Sequence, residues 1–126
     1  DYFTPNETEA SFYVNHPVET HDDAGKAAKT LLDMGIKNVI ITLGEKGAYF
    51  ANANETFSSP IANLSNPVVD TTGAGDAFNA GFAAALTEDQ NIKDAISFAS
   101  ATAGLSTTKI GTANSMPSRE EIDKIL

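Results

Sequence analysis

In Asp70–Phe78, which reads DTTGAGDAF, two glycines and two aspartates stand directly ahead of an apolar run of helical character. Gly73 and Gly75 allow backbone angles that side-chain-bearing residues avoid, so successive N–H groups can converge on an anion. A helix opening at Ala74 adds the partial positive charge of its N-terminus. No lysine stands in the segment, unlike the usual phosphate-binding loop. Charge that builds up only during phosphoryl transfer can be met by such donors without a permanent cation. Asp76 would repel a resident phosphate, yet it suits a hydroxyl nucleophile, which its carboxylate can orient and deprotonate. On this reading the glycines stabilise charge and Asp76 handles the nucleophile. A plainer reading stays open beside it: an acid in the first turn favours any helix, and glycines gather in ordinary turns.

Three further segments carry candidate chemistry, each with a plain alternative. In TPNETEA, Thr4–Ala10, Asn6 and Glu9 stand in N-x-x-E spacing. Spacing alone favours a capping box, in which each side chain bonds the other's backbone N–H. TLGEKG, Thr42–Gly47, reads by itself as a strand-to-hairpin turn built on Gly44 and Gly47. Lys46 is the one cation in these phosphate-side motifs, and a solvated turn lysine is the plain account of it. Asp70 by itself reads as a residue bonding backbone N–H groups in its turn. His16 and His21 lie in a polar, loop-like stretch without a further histidine in the chain, and both read as surface residues.

Composition removes whole classes of function. The chain of 126 residues suits one domain with a core of its own. Net charge is −9 and only eight lysines and arginines are present, without a cluster, which argues against nucleic-acid binding. Cysteine is absent, so disulfides and thiolate metal sites are excluded, in keeping with a cytoplasmic setting. No apolar run approaches the ~20 residues of a membrane span. The chain opens on Asp1 without a signal-like segment, which suggests a processed, excised or truncated polypeptide.

The elements that must position these residues follow from periodicity. Asp1–Thr4 reads as a short strand before Pro5, and 6–13 as a short helix. Over 22–34, Ala24, Ala27, Ala28, Leu31 and Leu32 share a helical face that ends at Gly35. Val39–Leu43 (VIITL) is apolar and β-branched without alternation, as a buried parallel strand would be. Segments 48–51 and 55–58 pair as a hairpin across NANE, and 67–70 is extended. Helices follow at 74–86, 92–106 and 118–126. Strands alternating with helices make an α/β layered fold with a mainly parallel sheet.

The run DTTGAGDAFNAGF resembles the C-terminal signature of the ribokinase-like, or phosphofructokinase-B, family of sugar kinases, and with NETE and TLGEKG the resemblance spans nearly the whole chain. It implies a ribokinase-like layered α/β sandwich, of which 1–126 would be the C-terminal nucleotide-binding part. The N-terminal sugar-binding part and its lid would be absent. It implies Asp76 as catalytic base, in contact with the substrate, and Gly73, Ala74 and Gly75 as the anion hole. Asn6 and Glu9 would order Mg²⁺, its waters and the phosphates, and a water-mediated role suits an ion that keeps much of its hydration. ATP would be lined by Asn6, Thr42, Leu43, Gly44, Glu45, Lys46, Gly47, Gly75 and Asp76. Ser100 would flank the adenine, where relatives carry larger polar residues, a departure that weakens a base contact there. A monovalent cation, usually K⁺, would be held by Asp70, Thr72, Ser106, Lys109, Gly111 and Ser115, mostly through carbonyls, an oxygen set suited to a hard cation.

IGTANSMPSREEI and TPNETEA look most like the ribose-phosphorylating members, which implies D-ribose and its 5-hydroxyl as acceptor. Two alternatives stand beside that expectation: a nucleotide-binding fragment without catalysis, or a family kinase acting on another sugar or a nucleoside. If the first strands are missing, a bare sheet edge and uncovered helix faces would drive self-association, for instance as a homodimer.

Overall fold

The computed structural model describes residues 2–60, 74–88, 90–106, Glu120 and Ile122. The chain divides into two compact units, Asp1–Pro60 and Ile61–Leu126. The first contains strand β1 (Tyr2–Phe3), helices α1 (Glu7–Val14) and α2 (His21–Asp33), and strands β2 (Asn38–Thr42), β3 (Ala48–Asn52) and β4 (Thr56–Ser59). The second contains helices α3 (Ala74–Thr87) and α4 (Ile92–Ser106).

The sheet order is β1-β2-β3-β4. Tyr2 pairs with Asn38 and Phe3 with Val39 in parallel, while β2–β3 and β3–β4 are antiparallel. Among the described residues the sheet is therefore mixed, and the expected mainly parallel arrangement is corrected. The physical reason is the connection: Leu43–Gly47 alone join β2 to β3, and a parallel crossover needs roughly a dozen residues or more. The β3–β4 hairpin closes through Asn52, whose Oδ1 accepts the N–H groups of Asn54 and Glu55 at 2.8 Å each. That is the hairpin expected across NANE.

Strand β2 lacks alternation because both its faces are covered: Val39, Ile40 and Ile41 are fully buried. Val39 and Ile41 join a core with Ala10, Val18, Ala24, Ala27, Ala28, Leu31, Leu43 and Ala51. Each large aliphatic side chain so buried contributes about 1.5–3 kcal/mol. Ile40 lies on the opposite face, in register with Phe50 and Phe57, whose rings are 5.0 Å apart.

Helix α2 starts one residue earlier than its apolar face suggests. Thr20 is its N-cap, and Thr20 and Asp23 form a capping box. Met34 closes the helix, followed by Gly35 at φ 103°, a conformation in which glycine carries no steric cost. In the second unit α3 and α4 pack together. Gly81 makes this possible, since a Cβ there would stand 2.6 Å from Thr102 Oγ1. The expected extended piece at 67–70 lies outside the described residues, as does most of 118–126, where Glu120 and Ile122 are helical.

Candidate functional site

The two motifs of the first unit meet at the carboxyl ends of its parallel strands. Residue 6 forms an isolated parallel bridge with Thr42, and the Thr42 N–H donates to the Pro5 carbonyl at 3.0 Å. This is the end of a parallel pair where α/β folds gather ligands. Asn6 therefore continues the pairing beyond β1, caps α1 and flanks the exit of β2 at once.

The capping box is formed. Glu9 N–H donates to Asn6 Oδ1 at 2.8 Å, and Asn6 N–H donates to Glu9 Oε1 at 2.9 Å. Both residues are solvent-exposed, so the structural role leaves the second carboxylate oxygen of Glu9 facing no burial penalty. Among the described residues no group of three or more His, Asp or Glu side chains could cage a metal. A single exposed carboxylate beside an amide instead fits Mg²⁺ bound through its waters.

After Thr42 the chain enters a tight turn, a single 3-10 turn at Gly44–Lys46. Leu43 is buried and its N–H donates to the Gly47 carbonyl at 2.7 Å. Lys46 N–H donates to Leu43 O at 3.0 Å and Gly47 N–H to Gly44 O at 3.1 Å. Gly44 at φ 57° and Gly47 at φ 89°, ψ −139° hold left-handed angles, the second in a region nearly confined to glycine. Glu45 contributes its backbone to the turn. The Lys46 ammonium donates to the Glu19 carbonyl at 2.6 Å. It is thus tethered to α2's approach while remaining the solvent-exposed turn lysine of the plain reading.

In the second unit α3 spans Ala74–Thr87. Gly75 and Asp76 are exposed in its first turn, and among the described residues nothing outside this turn lies within 4 Å of the place where a Gly75 side chain would begin. The N-terminal turn of this helix therefore carries the exposed Asp76 carboxylate, at the start of fourteen helical residues. Ser100 is half-buried in α4. Ser106 is buried at the end of α4, and its hydroxyl donates to the Ala103 carbonyl at 2.7 Å. Asp70, Thr72, Gly73, Lys109, Gly111 and Ser115 lie outside the described residues.

Three residues that sequence reasoning left aside support the Gly44–Lys46 turn from outside it. His21 Nε2 lies 2.9 Å from the Lys46 carbonyl oxygen, and His21 Nδ1 lies 3.2 Å from Ser58 Oγ. With Glu19 they brace the turn, and no local pattern in the sequence signals pairings made across so much chain.

The geometry agrees with the comparisons to known proteins. The chain matches the model of the pfkB family of carbohydrate kinases over residues 1–119 and belongs to that family. It is 42% identical over 121 residues to a ribokinase of Haemophilus influenzae, an alignment covering 96% of this chain and 39% of that protein. A deoxyribokinase of Salmonella typhi is 38% identical over 126 residues, covering 100% and 40% respectively. Among solved structures, Arabidopsis thaliana ribokinase complexed with ribose and ATP superposes with a TM-score of 0.92 at 36% identity, covering 99% of this chain and 40% of that one. A structure from Escherichia coli assigned to a ribokinase II, in complex with ATP and Mg²⁺, gives 0.84 at 29% identity, covering 99% and 38%. The chain thus spans about two-fifths of the length of the relatives it matches. Its fold is ribokinase-like, an α/β arrangement with a mixed sheet and flanking helices.

Proposed function

We propose that the full-length protein is an ATP-dependent sugar kinase that transfers the γ-phosphoryl group of ATP to the 5-hydroxyl of D-ribose or a close pentose. The observation that carries this reading is the exposed Asp76 in the first turn of α3, directly behind the Gly73–Gly75 segment. Asp76 accepts the proton of the sugar hydroxyl as the hydroxyl oxygen bonds to the γ-phosphorus. The bond to the β-phosphate oxygen breaks and ADP departs. Backbone N–H groups at Gly73, Ala74 and Gly75, with the α3 dipole, stabilise the charge on the transferring group. Thr42–Gly47 lines the nucleotide, and Ser100 flanks its base. Asn6 and Glu9 would hold Mg²⁺ through its waters, and the ion would neutralise phosphate charge when bound.

A monovalent cation held by Asp70, Thr72, Ser106, Lys109, Gly111 and Ser115 belongs to the same reading. The Ser106 hydroxyl donates to the Ala103 carbonyl at 2.7 Å, which leaves its oxygen lone pairs and its own carbonyl as the groups such a site would use. Turnover in potassium salts above that in equal sodium salts supports this cation. A cytoplasmic location fits the supply of ATP. Among the described residues no helix is long and apolar enough to cross a membrane.

The test is Asp76→Asn in the full-length protein, with ribose 5-phosphate followed directly. Loss of a positioned general base lowers turnover by about 10²–10⁴, while calorimetry finds ATP binding retained. Near-parental turnover refutes the assignment of Asp76. A substrate panel of D-ribose, 2-deoxy-D-ribose, fructose and nucleosides fixes the acceptor, since similarity to both ribokinases and deoxyribokinases leaves the 2-position open. A second reading concerns the 126-residue polypeptide alone. It spans two-fifths of its relatives, which favours a nucleotide-binding fragment that needs the remaining chain to bind sugar. Nucleotide heat without ribose 5-phosphate from that polypeptide supports this second reading.

A further inference from the structure

The turn assigned to ATP is held from outside its own strand pair. His21 Nε2 lies 2.9 Å from the Lys46 carbonyl oxygen. A carbonyl only accepts, so Nε2 carries the ring proton. In that tautomer Nδ1 is an acceptor and takes the Ser58 hydroxyl at 3.2 Å. The imidazole, borne by α2, therefore bridges the turn to β4, and its ring sits 6.5 Å from that of Tyr49 in β3. Two residues before His21, the Glu19 carbonyl accepts the Lys46 ammonium at 2.6 Å. Residue 46 is thus gripped at its backbone and at the tip of its side chain by positions 21 and 19.

We propose that His21 is a positioning residue for the nucleotide, clamping the Gly44–Gly47 turn in its ligand-ready shape. This rests on the reading of that turn as part of the ATP site. The clamp is mounted on a rigid base. Thr20, between its two arms, is fixed by the capping box with Asp23, whose carboxylate accepts the N–H groups of Glu19 and Thr20 at 3.1 and 3.3 Å. What it restrains is intrinsically loose. Gly44 and Gly47 have the widest conformational freedom of any residue type and lose the most entropy on ordering. Ordering the turn in advance lowers the cost of binding, so the clamp acts on nucleotide affinity and leaves the chemical step alone. The residue that touches ATP is the turn, and His21 acts through it.

The experiment uses the full-length protein. Calorimetry gives the dissociation constants of ADP and of an unreactive ATP analogue for the parent, His21→Leu, His21→Gln and Ser58→Ala, with kcat and sugar KM measured alongside. Glutamine keeps an N–H donor near the place of Nε2. His21→Leu should weaken both nucleotides about five- to tenfold, the scale of one lost hydrogen bond, with sugar KM and kcat held and His21→Gln back within about twofold of the parent. Amide exchange at Lys46 and Gly47 in nucleotide-free protein should quicken in His21→Leu and recover in His21→Gln. Parental nucleotide affinity in His21→Leu overturns the clamp. So does a loss that glutamine leaves unrepaired, or one shared equally by sugar KM and kcat. If His21→Leu does not fold, Ser58→Ala, at an exposed residue, decides: faster Lys46 exchange with weaker nucleotide binding supports the clamp, and parental values overturn it. A parent that binds no nucleotide removes the ATP-site reading itself and the clamp with it. That result is distinct from a failed clamp in a parent that binds.

Discussion

Replacing Gly81 by alanine should destabilise the α3–α4 pair, although alanine is the better helix former. A Cβ at this position would stand 2.6 Å from Thr102 Oγ1, 2.9 Å from Thr102 Cβ and 3.2 Å from Ala99 Cα. The hydroxyl can swing aside only by giving up its bond to the Phe98 carbonyl at 2.9 Å. Thr102 Cβ and Ala99 Cα move only if the helix moves. Carbon atoms in contact settle near 3.5–4.0 Å, so the helices must part by roughly 0.5–1 Å. Overpacking of this kind costs about 1–3 kcal/mol, and losing the buried hydrogen bond adds about 1 kcal/mol. Helix propensity returns about 1 kcal/mol. The net loss is about 2 kcal/mol, which lowers the thermal midpoint by roughly 4–10 °C. Scanning calorimetry on Gly81→Ala, alone and combined with Thr102→Ala or Thr102→Gly, separates the contributions. Thr102→Ala relieves the hydroxyl contact and leaves the 2.9 Å carbon contact in place, so its rescue should be small. Thr102→Gly removes both and should couple favourably with Gly81→Ala by more than about 1 kcal/mol. A Gly81→Ala protein as stable as the parent, or equal rescue by alanine and glycine at 102, would refute the reasoning.

Asn6→Ala should lower stability by about 1 kcal/mol in urea titrations by removing the α1 cap, while Asn6→Asp retains it. Glu9→Gln preserves the capping box, so it should leave the urea midpoint nearly unchanged while raising KM for Mg-ATP if Glu9 also serves the metal. Gly47→Ala should destabilise more than Gly44→Ala in the same titration, because φ 89°, ψ −139° excludes side chains that φ 57° still admits. The Asp23 carboxylate is held below its ordinary 3.8 chiefly by the Glu19 N–H, with Thr20 and the charge of Lys26 assisting. A carboxyl lowered by folding stabilises above its unfolded value and loses that effect as pH falls. Thermal midpoints of Asp23→Asn should therefore lie below the parent's near neutrality and converge with them as pH drops from about 5 toward 3. The 126-residue polypeptide, with Phe12 81% and Met34 62% exposed, should self-associate; light scattering that finds only monomer over a wide concentration range counts against this.

The legible parts of the molecule were those governed by local rules. Asn6 and Glu9 bond as their spacing requires, the NANE hairpin closes on Asn52, and Ala24, Ala27, Ala28 and Leu31 face the core. The start of α2 was set by Thr20 and Asp23, a cap whose T-x-x-D spacing lies outside the apolar face used to find the helix. The buried strand over 39–43 does pair in parallel with β1, but a mainly parallel sheet did not follow, because composition reports burial on both faces, which Val39–Ile41 show, and says nothing of which way the other neighbour runs. The short Leu43–Gly47 connection held that information. The roles of Glu19, His21, Lys46 and Ser58 were illegible, since they rest on bonds between residues distant in the chain. Asp76 stood out because its candidate chemistry is written into one continuous segment, and it lies in the first described turn of α3.

Strand β1 finds its place by pairing Tyr2 with Asn38 and Phe3 with Val39, whereas β2, β3 and β4 follow one another through short turns. Hairpins close in microseconds, but this parallel pair encloses α1 and α2 and closes a long loop. On the ribosome the order of synthesis opposes the order of assembly. Phe3 emerges before Val39 and waits until Val39 has been made and has left the exit tunnel, roughly seconds at ordinary elongation rates. In that interval Phe3 and Tyr13, whose rings meet at 5.3 Å in the folded protein, can cover each other within one short segment. The aromatic pair beside α1 is thereby suited to shelter β1 from nascent neighbours until β2 has been made to receive it.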